Sequence, residues 1–266
     1  MATERFHLLT FDAYGDAIGQ AATVLRANAT ATPLDGPVPT CPGWTLRDLV
    51  SHAGMVHRWA SDQLRAGPGA DPAAHQDEGR ASADLLTWFD TGATALLQSL
   101  VDAPDDLDAL VFLADAPPAK IFWARRQAHE TTIHAVDALA ARLGRAPTSE
   151  ETWIRGGLAL DGIDEILAGF VARGGRRAVH TPEPTTLLVH PDGSGVAWHV
   201  SFSPDAPAVT RRMDTSATHA ASVGSVEADH VLTGPAVAAY LTLWNRSDDT
   251  WREQAWWREV LTVTWA

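Results

Sequence analysis

The run Trp123-Ala-Arg-Arg-Gln-Ala-His-Glu-Thr-Thr-Ile-His-Ala-Val-Asp137 sits inside a segment, Pro118 to about Leu143, that reads as one long helix. Pro118 is tolerated in its first turn, and Gly144 provides the stop. Glu130 and His134 stand four residues apart on it, so both side chains leave the same face, which is a spacing that suits a metal. A second helical segment opens at Thr45, where Thr45 and Asp48 form a capping box, and it carries His52 one turn beyond Asp48. Packing the two helices together would bring two imidazoles and a carboxylate around one ion and leave a coordination position open.

Four helical segments precede residue 150. The first spans Phe6 to about Asn28, the second follows Thr45, the third runs from Ala81 to Leu100 and the fourth from Pro118 to Leu143. Gly67-Pro68-Gly69 ends the second, and residues 69–79, rich in Gly, Pro, Asp and Ala, read as a surface loop. Helices joined this way imply a bundle, in which metal sites are built from facing side chains. Glu150 to Ala172 gives one more helix, ended by Gly174-Gly175. The composition then changes: Thr185 to His190 and Val196 to Phe202 are β-rich runs around a Pro191-Asp-Gly-Ser-Gly195 turn. A further strand is expected between Ser225 and Leu232, and a helix from Ala236 to Asn245. The expected fold is therefore two-domain α+β, with a helical bundle over 1–175 and a small α+β domain over 176–266.

Composition narrows the function classes. With 20 basic against 33 acidic residues the net charge is -13, and no basic stripe exists to neutralise phosphates, so no nucleic-acid partner is expected. No apolar run reaches the roughly 18 residues that span a bilayer, and no leader pattern opens the chain. A cytoplasmic protein with no membrane partner is the expectation. Cys41 is the sole cysteine, which excludes an internal disulfide and any dithiol redox motif. Thiol chemistry would need a thiol from outside.

The stretches Val38-Pro-Thr-Cys-Pro-Gly-Trp-Thr-Leu-Arg-Asp-Leu-Val-Ser-His52, Arg126-Gln-Ala-His-Glu130 and Thr132-Ile-His134-Ala-Val-Asp137 resemble the mycothiol-dependent maleylpyruvate isomerase family, one of the DinB-like metal-binding bundles. Thr233-Gly-Pro to Leu243-Trp-Asn-Arg246 is similar to that family's C-terminal domain, of sterol-carrier-like α+β fold. The resemblance implies a DinB-like four-helix bundle in which His52, Glu130 and His134 hold a divalent metal, zinc first among the candidates. It further implies mycothiol as the thiol cofactor or co-substrate. It places Arg246 as a catalytic arginine that clamps a substrate carboxylate, although Asn245 stands where the family often has glycine.

Arg126, one turn before Glu130, can hold that carboxylate or an anionic part of the cofactor, and Asp137 can fix a histidine tautomer. His57 and His129 fall off the ligand faces by spacing. Cys41 reads as a packing residue, and so does the cluster Trp251, Trp256 and Trp257. The expected partners are a small electrophile and a low-molecular-weight thiol, on a monomer or homodimer. Isomerase and S-transferase chemistry both fit this reading. A ligand carrier with a structural bundle, and a hydrolase using metal-activated water, remain open beside them.

Overall fold

The computed structural model describes residues 9–66, 71–174, 179–215, 226–249 and 251–261. The chain divides into two compact units, one comprising Thr10–Phe112 with Ala116–Pro147 and the other containing Thr148–Ala266 together with Met1–Leu9 and Leu113–Asp115.

The first unit is helical. Its elements are α1 (Phe11–Thr30), α2 (Leu46–Ala66), α3 (Pro72–Ala81), α4 (Leu85–Asp102) and α5 (Ala119–Leu143). Helix α2 starts as its capping box predicts: the Asp48 N–H donates to Thr45 Oγ1 at 3.2 Å, and the Thr45 N–H donates to Asp48 Oδ2 at 3.1 Å. Helix α5 stops at Gly144, whose φ of 72° makes it a left-handed cap, and its N–H donates to the Ala140 carbonyl at 2.8 Å. Packed against α1 and α2, α5 is buried from Phe122 through Ala140.

Helix α3 corrects the expected loop over 69–79. Asp71 caps it by accepting from the Ala73 N–H at 2.9 Å, and Pro72 occupies the first turn, so a start signal outweighed the loop-like composition. It packs closely beside α2 because Gly54 and Gly79 make room for the Trp88 indole, which a Cβ would meet at 2.2 Å and 2.7 Å. The expected stop at Gly67-Pro68-Gly69 and the first residues of the expected first helix lie outside the described residues.

In the second unit a 3-10 turn (Ser149–Glu151) precedes α6 (Gly156–Asp164), which widens into a π-helical segment (Glu165–Val171). The single helix expected over 150–172 is thus three pieces. The strands β1 (Thr185–Pro191), β2 (Val196–Phe202), β3 (Val209–Asp214) and β4 (His230–Gly234) form one sheet of order β3-β2-β1-β4. β1, β2 and β3 pair antiparallel as neighbours, whereas β4 runs parallel to β1. The turn between β1 and β2 uses Gly193 and Gly195, at φ of 63° and 70°. Helices α7 (Ala236–Leu243) and α8 (Gln254–Val260) follow.

The fold is therefore α+β, a helical domain followed by a sheet domain. The boundary expected at 175–176 falls on residues outside those described, and the sheet-containing unit already begins at Thr148. Packing explains why: Gly162 of α6 receives the ring of Tyr240 from α7, and Thr210 of β3 donates to the Leu167 carbonyl at 2.6 Å.

Candidate metal centre

His52 on α2 and Glu130 and His134 on α5 converge within the helical unit, with one ligand-type atom from each lying within 4.8 Å of the others. The His52 Nε2 is 3.4 Å from Glu130 Oε1, and the His134 Nε2 is 3.1 Å from the same oxygen. All three residues are buried. Bonds of about 2.0–2.2 Å to a tetrahedral ion put neighbouring ligand atoms about 3.3–3.6 Å apart, so two imidazole nitrogens and a carboxylate oxygen at this spacing fit one divalent cation with small adjustments. Among the described residues this is the one group of three such side chains.

Each candidate is held from behind. The His134 Nδ1 lies 2.9 Å from Asp137 Oδ2, which keeps the proton on Nδ1 and turns Nε2 inward. Asp137 is in turn held by Thr40, whose hydroxyl donates to Oδ1 at 2.6 Å. Arg126 donates from Nη2 to Glu130 Oε2 at 2.9 Å, leaving Oε1 toward the histidines. The indole of Trp44 contacts both imidazoles, at ring-centre distances of 5.0 Å to His52 and 6.2 Å to His134, nearly parallel to the latter.

The protonation pattern follows from burial and pairing. Burial favours a neutral Glu130, but the His134 charge, hydrogen bonds from His134 and His52, and the Arg126 charge outweigh it and hold the carboxyl well below its usual range. Burial opposes a charge on His134, yet Glu130 and Asp137 at its two nitrogens lift it to about 9. His52 is lowered by burial, opposed in part by Glu130. His57 is pushed down to about 3 by burial and is engaged through Nε2 with the Thr131 hydroxyl at 2.9 Å.

Residues 16–139 match the family model for the mycothiol maleylpyruvate isomerase N-terminal domain. This stretch is similar to that domain family. It contains all three ligand candidates together with Arg126, Asp137, Thr40 and Trp44. Two crystal structures share the fold at 13% identity, each alignment covering 88% of both chains. They are the mycothiol-dependent maleylpyruvate isomerase, at a TM-score of 0.55, and its H52A mutant, at 0.54. No curated protein matches the chain significantly.

Arg246 lies beyond the matched residues, in the sheet-containing unit. It follows α7, is 7% exposed, and donates from Nη1 to the Trp244 carbonyl at 2.9 Å. Asn245 adopts φ of 58°, the left-handed conformation that glycine takes most easily and asparagine tolerates. The turn before Arg246 thus keeps a glycine-like backbone. Asn245 also anchors it by donating to the Leu261 carbonyl at 3.1 Å and accepting from Gln254 Nε2 at 2.7 Å.

Thr40 and Trp44 had drawn no role from the sequence. The available signal was their place in the Pro-rich loop just before the helix that carries His52.

Proposed function

We propose that the chain is a divalent-metal-dependent enzyme, an isomerase or S-transferase, that uses the low-molecular-weight thiol mycothiol to isomerise, or to join through its sulfur, a small electrophile bearing a carboxylate, such as maleylpyruvate. The observation that carries this reading is the buried convergence of His52, Glu130 and His134 inside the matched domain. We place the reaction in the cytoplasm; among the described residues no helix is long and apolar enough to cross a membrane.

His52, Glu130 and His134 would hold the cation, for which their two nitrogens and one oxygen suit zinc. When bound, the cation supplies charge that stabilises a thiolate near neutral pH. Asp137 keeps the proton on His134 Nδ1 and so leaves Nε2 as a ligand nitrogen. Arg126 takes one oxygen of Glu130 and aims the other. Burial of the cluster limits competing water and strengthens each of these contacts. Arg246 is proposed as the guanidinium that clamps the substrate carboxylate.

In the isomerisation, the thiolate sulfur adds to the activated cis double bond, and the π electrons move onto the conjugated carbonyl. Rotation about the resulting single bond follows. The electrons then return, the carbon–sulfur bond breaks, the trans alkene forms and the thiolate is released. Retention of the adduct, or a different electrophile, gives S-transfer instead.

The 3.4 Å separation of His52 and Glu130 disfavours the carrier reading, which needed these residues apart. Metal-loaded protein assayed on maleylpyruvate and on simple activated alkenes, with and without mycothiol, tests the enzyme reading. Turnover only with thiol is expected. Thiol-independent hydrolysis, or no thiol binding at all, would overturn it.

A further inference from the structure

We propose that Trp44 is a positioning residue of the metal centre, holding the His52 and His134 rings at the angles at which both nitrogens meet one ion. The inference rests on the reading of His52, Glu130 and His134 as ligands.

Its basis is a loop far more constrained than its length requires. The Trp44 N–H donates to the Cys41 carbonyl and the Trp44 carbonyl accepts from the Val38 N–H, both at 3.0 Å. The Leu46 N–H donates to the Gly36 carbonyl at 2.9 Å, and Pro37 and Thr45 form an isolated β-bridge. Gly43, at φ of 87°, makes the bend that swings Trp44 toward the ligands, and the flanking prolines 37, 39 and 42 stiffen it further. Earlier in the same loop Thr40 holds Asp137, the carboxylate that fixes His134. The loop is thus tied to the centre at two points, one polar and one aromatic.

An ordinary packing role explains this poorly. Trp44 is only half-buried, and it lines an open recess of about 430 Å³ formed by the loop. Truncating it would enlarge a space already open to solvent, so a core-filling function is not what the indole supplies. Its specific contacts are with two rings from two different helices, both of them ligand candidates. A hydrogen bond at one nitrogen still lets an imidazole swing. An indole tilted 59° to the His52 ring and nearly parallel to the His134 ring limits that freedom before the ion arrives, in the way supporting side chains pre-organise a site.

The test is Zn²⁺ affinity, measured by competition with a chromogenic chelator on the full chain, alongside the visible spectrum of the Co²⁺-loaded protein. W44A is expected to weaken Zn²⁺ binding by about tenfold to a hundredfold, the range typical of residues that support ligands, and to shift the Co²⁺ bands. W44F should recover most of both. T40V, which loses the bond to Asp137 but keeps the side-chain volume, should weaken binding in the same direction with little change in apo-protein melting temperature. W44L, which keeps apolar bulk but not the flat ring, should weaken Zn²⁺ binding and shift the Co²⁺ bands as W44A does, which keeps the idea testable if W44A fails to fold. Wild-type Zn²⁺ affinity and unchanged Co²⁺ bands in W44A, or in W44L should W44A fail to fold, would overturn this inference alone. Absence of Zn²⁺ binding by the wild-type protein would sink the ligand reading and this inference with it.

Discussion

Asp164 in the sheet-containing unit and Glu130 in the helical unit are both buried carboxylates facing an arginine, and they differ in what the arginine leaves over. Arg212 takes both oxygens of Asp164, its Nε on Oδ1 and its Nη2 on Oδ2, while the Trp198 Nε1–H also donates to Oδ1 at 2.9 Å. Arg126 takes only Oε2 of Glu130, and the other oxygen is shared by two imidazoles. A buried charge satisfied on every side is structural mortar. A buried carboxylate with one oxygen reserved, and two nitrogens drawn in beside it, has the form of a binding site.

The contrast can be broken experimentally, and the largest effect is expected at the saturated pair. R212M removes the guanidinium that takes both oxygens of the buried Asp164 and should cost about 3 kcal/mol of unfolding free energy in chemical denaturation, with metal affinity unchanged. A loss below 1 kcal/mol would mean that solvent reaches this pair, since Arg212 is 34% exposed.

At the reserved carboxylate the effect should fall on the metal instead. D137N exchanges the charged partner of His134 for an amide and should weaken divalent-metal binding by about tenfold to a hundredfold in chelator competition, with a smaller effect on stability. Equal metal affinity would remove Asp137 from the centre.

The third effect sharpens the contrast among histidines. His57, held near 3 by burial, stays neutral in the folded chain when the unfolded chain begins to take up a proton below about 6.5. Stability must therefore fall with falling pH below that point and is unaffected by this group above it. Between pH 7 and pH 5 the wild-type protein should lose about 2 kcal/mol more than H57F. Identical losses would show that His57 is solvated.

The helix bearing Glu130 and His134 was legible because its stop, Gly144, and its start, Pro118, are both local signals, and so was the Thr45–Asp48 capping box that sets the start of the helix carrying His52. The hairpin around Pro191–Gly195 was legible for the same reason. Other features were hidden. Strand β3 carries Arg211 and Arg212 and is largely exposed on one edge of the sheet, so it has no apolar alternation to betray it. The π-helical widening after Asp164 and the short helix α8 depend on tertiary packing that no spacing rule encodes. Spacing on α5 put Glu130 and His134 on one face; that His52 joins them depends on how α2 packs against α5. Thr40 and the Trp44–His134 contact were invisible because those partners lie on α5, about 90 residues further along the chain.

The most direct measurement is X-ray absorption at the edge of the metal bound to the purified full-length protein, taken with metal stoichiometry on H52A and E130Q. One ion per chain in a shell of two imidazole nitrogens and at least one oxygen is expected, with metal content falling to near zero in both variants. A shell without imidazole, or full metal content in H52A, would contradict the account.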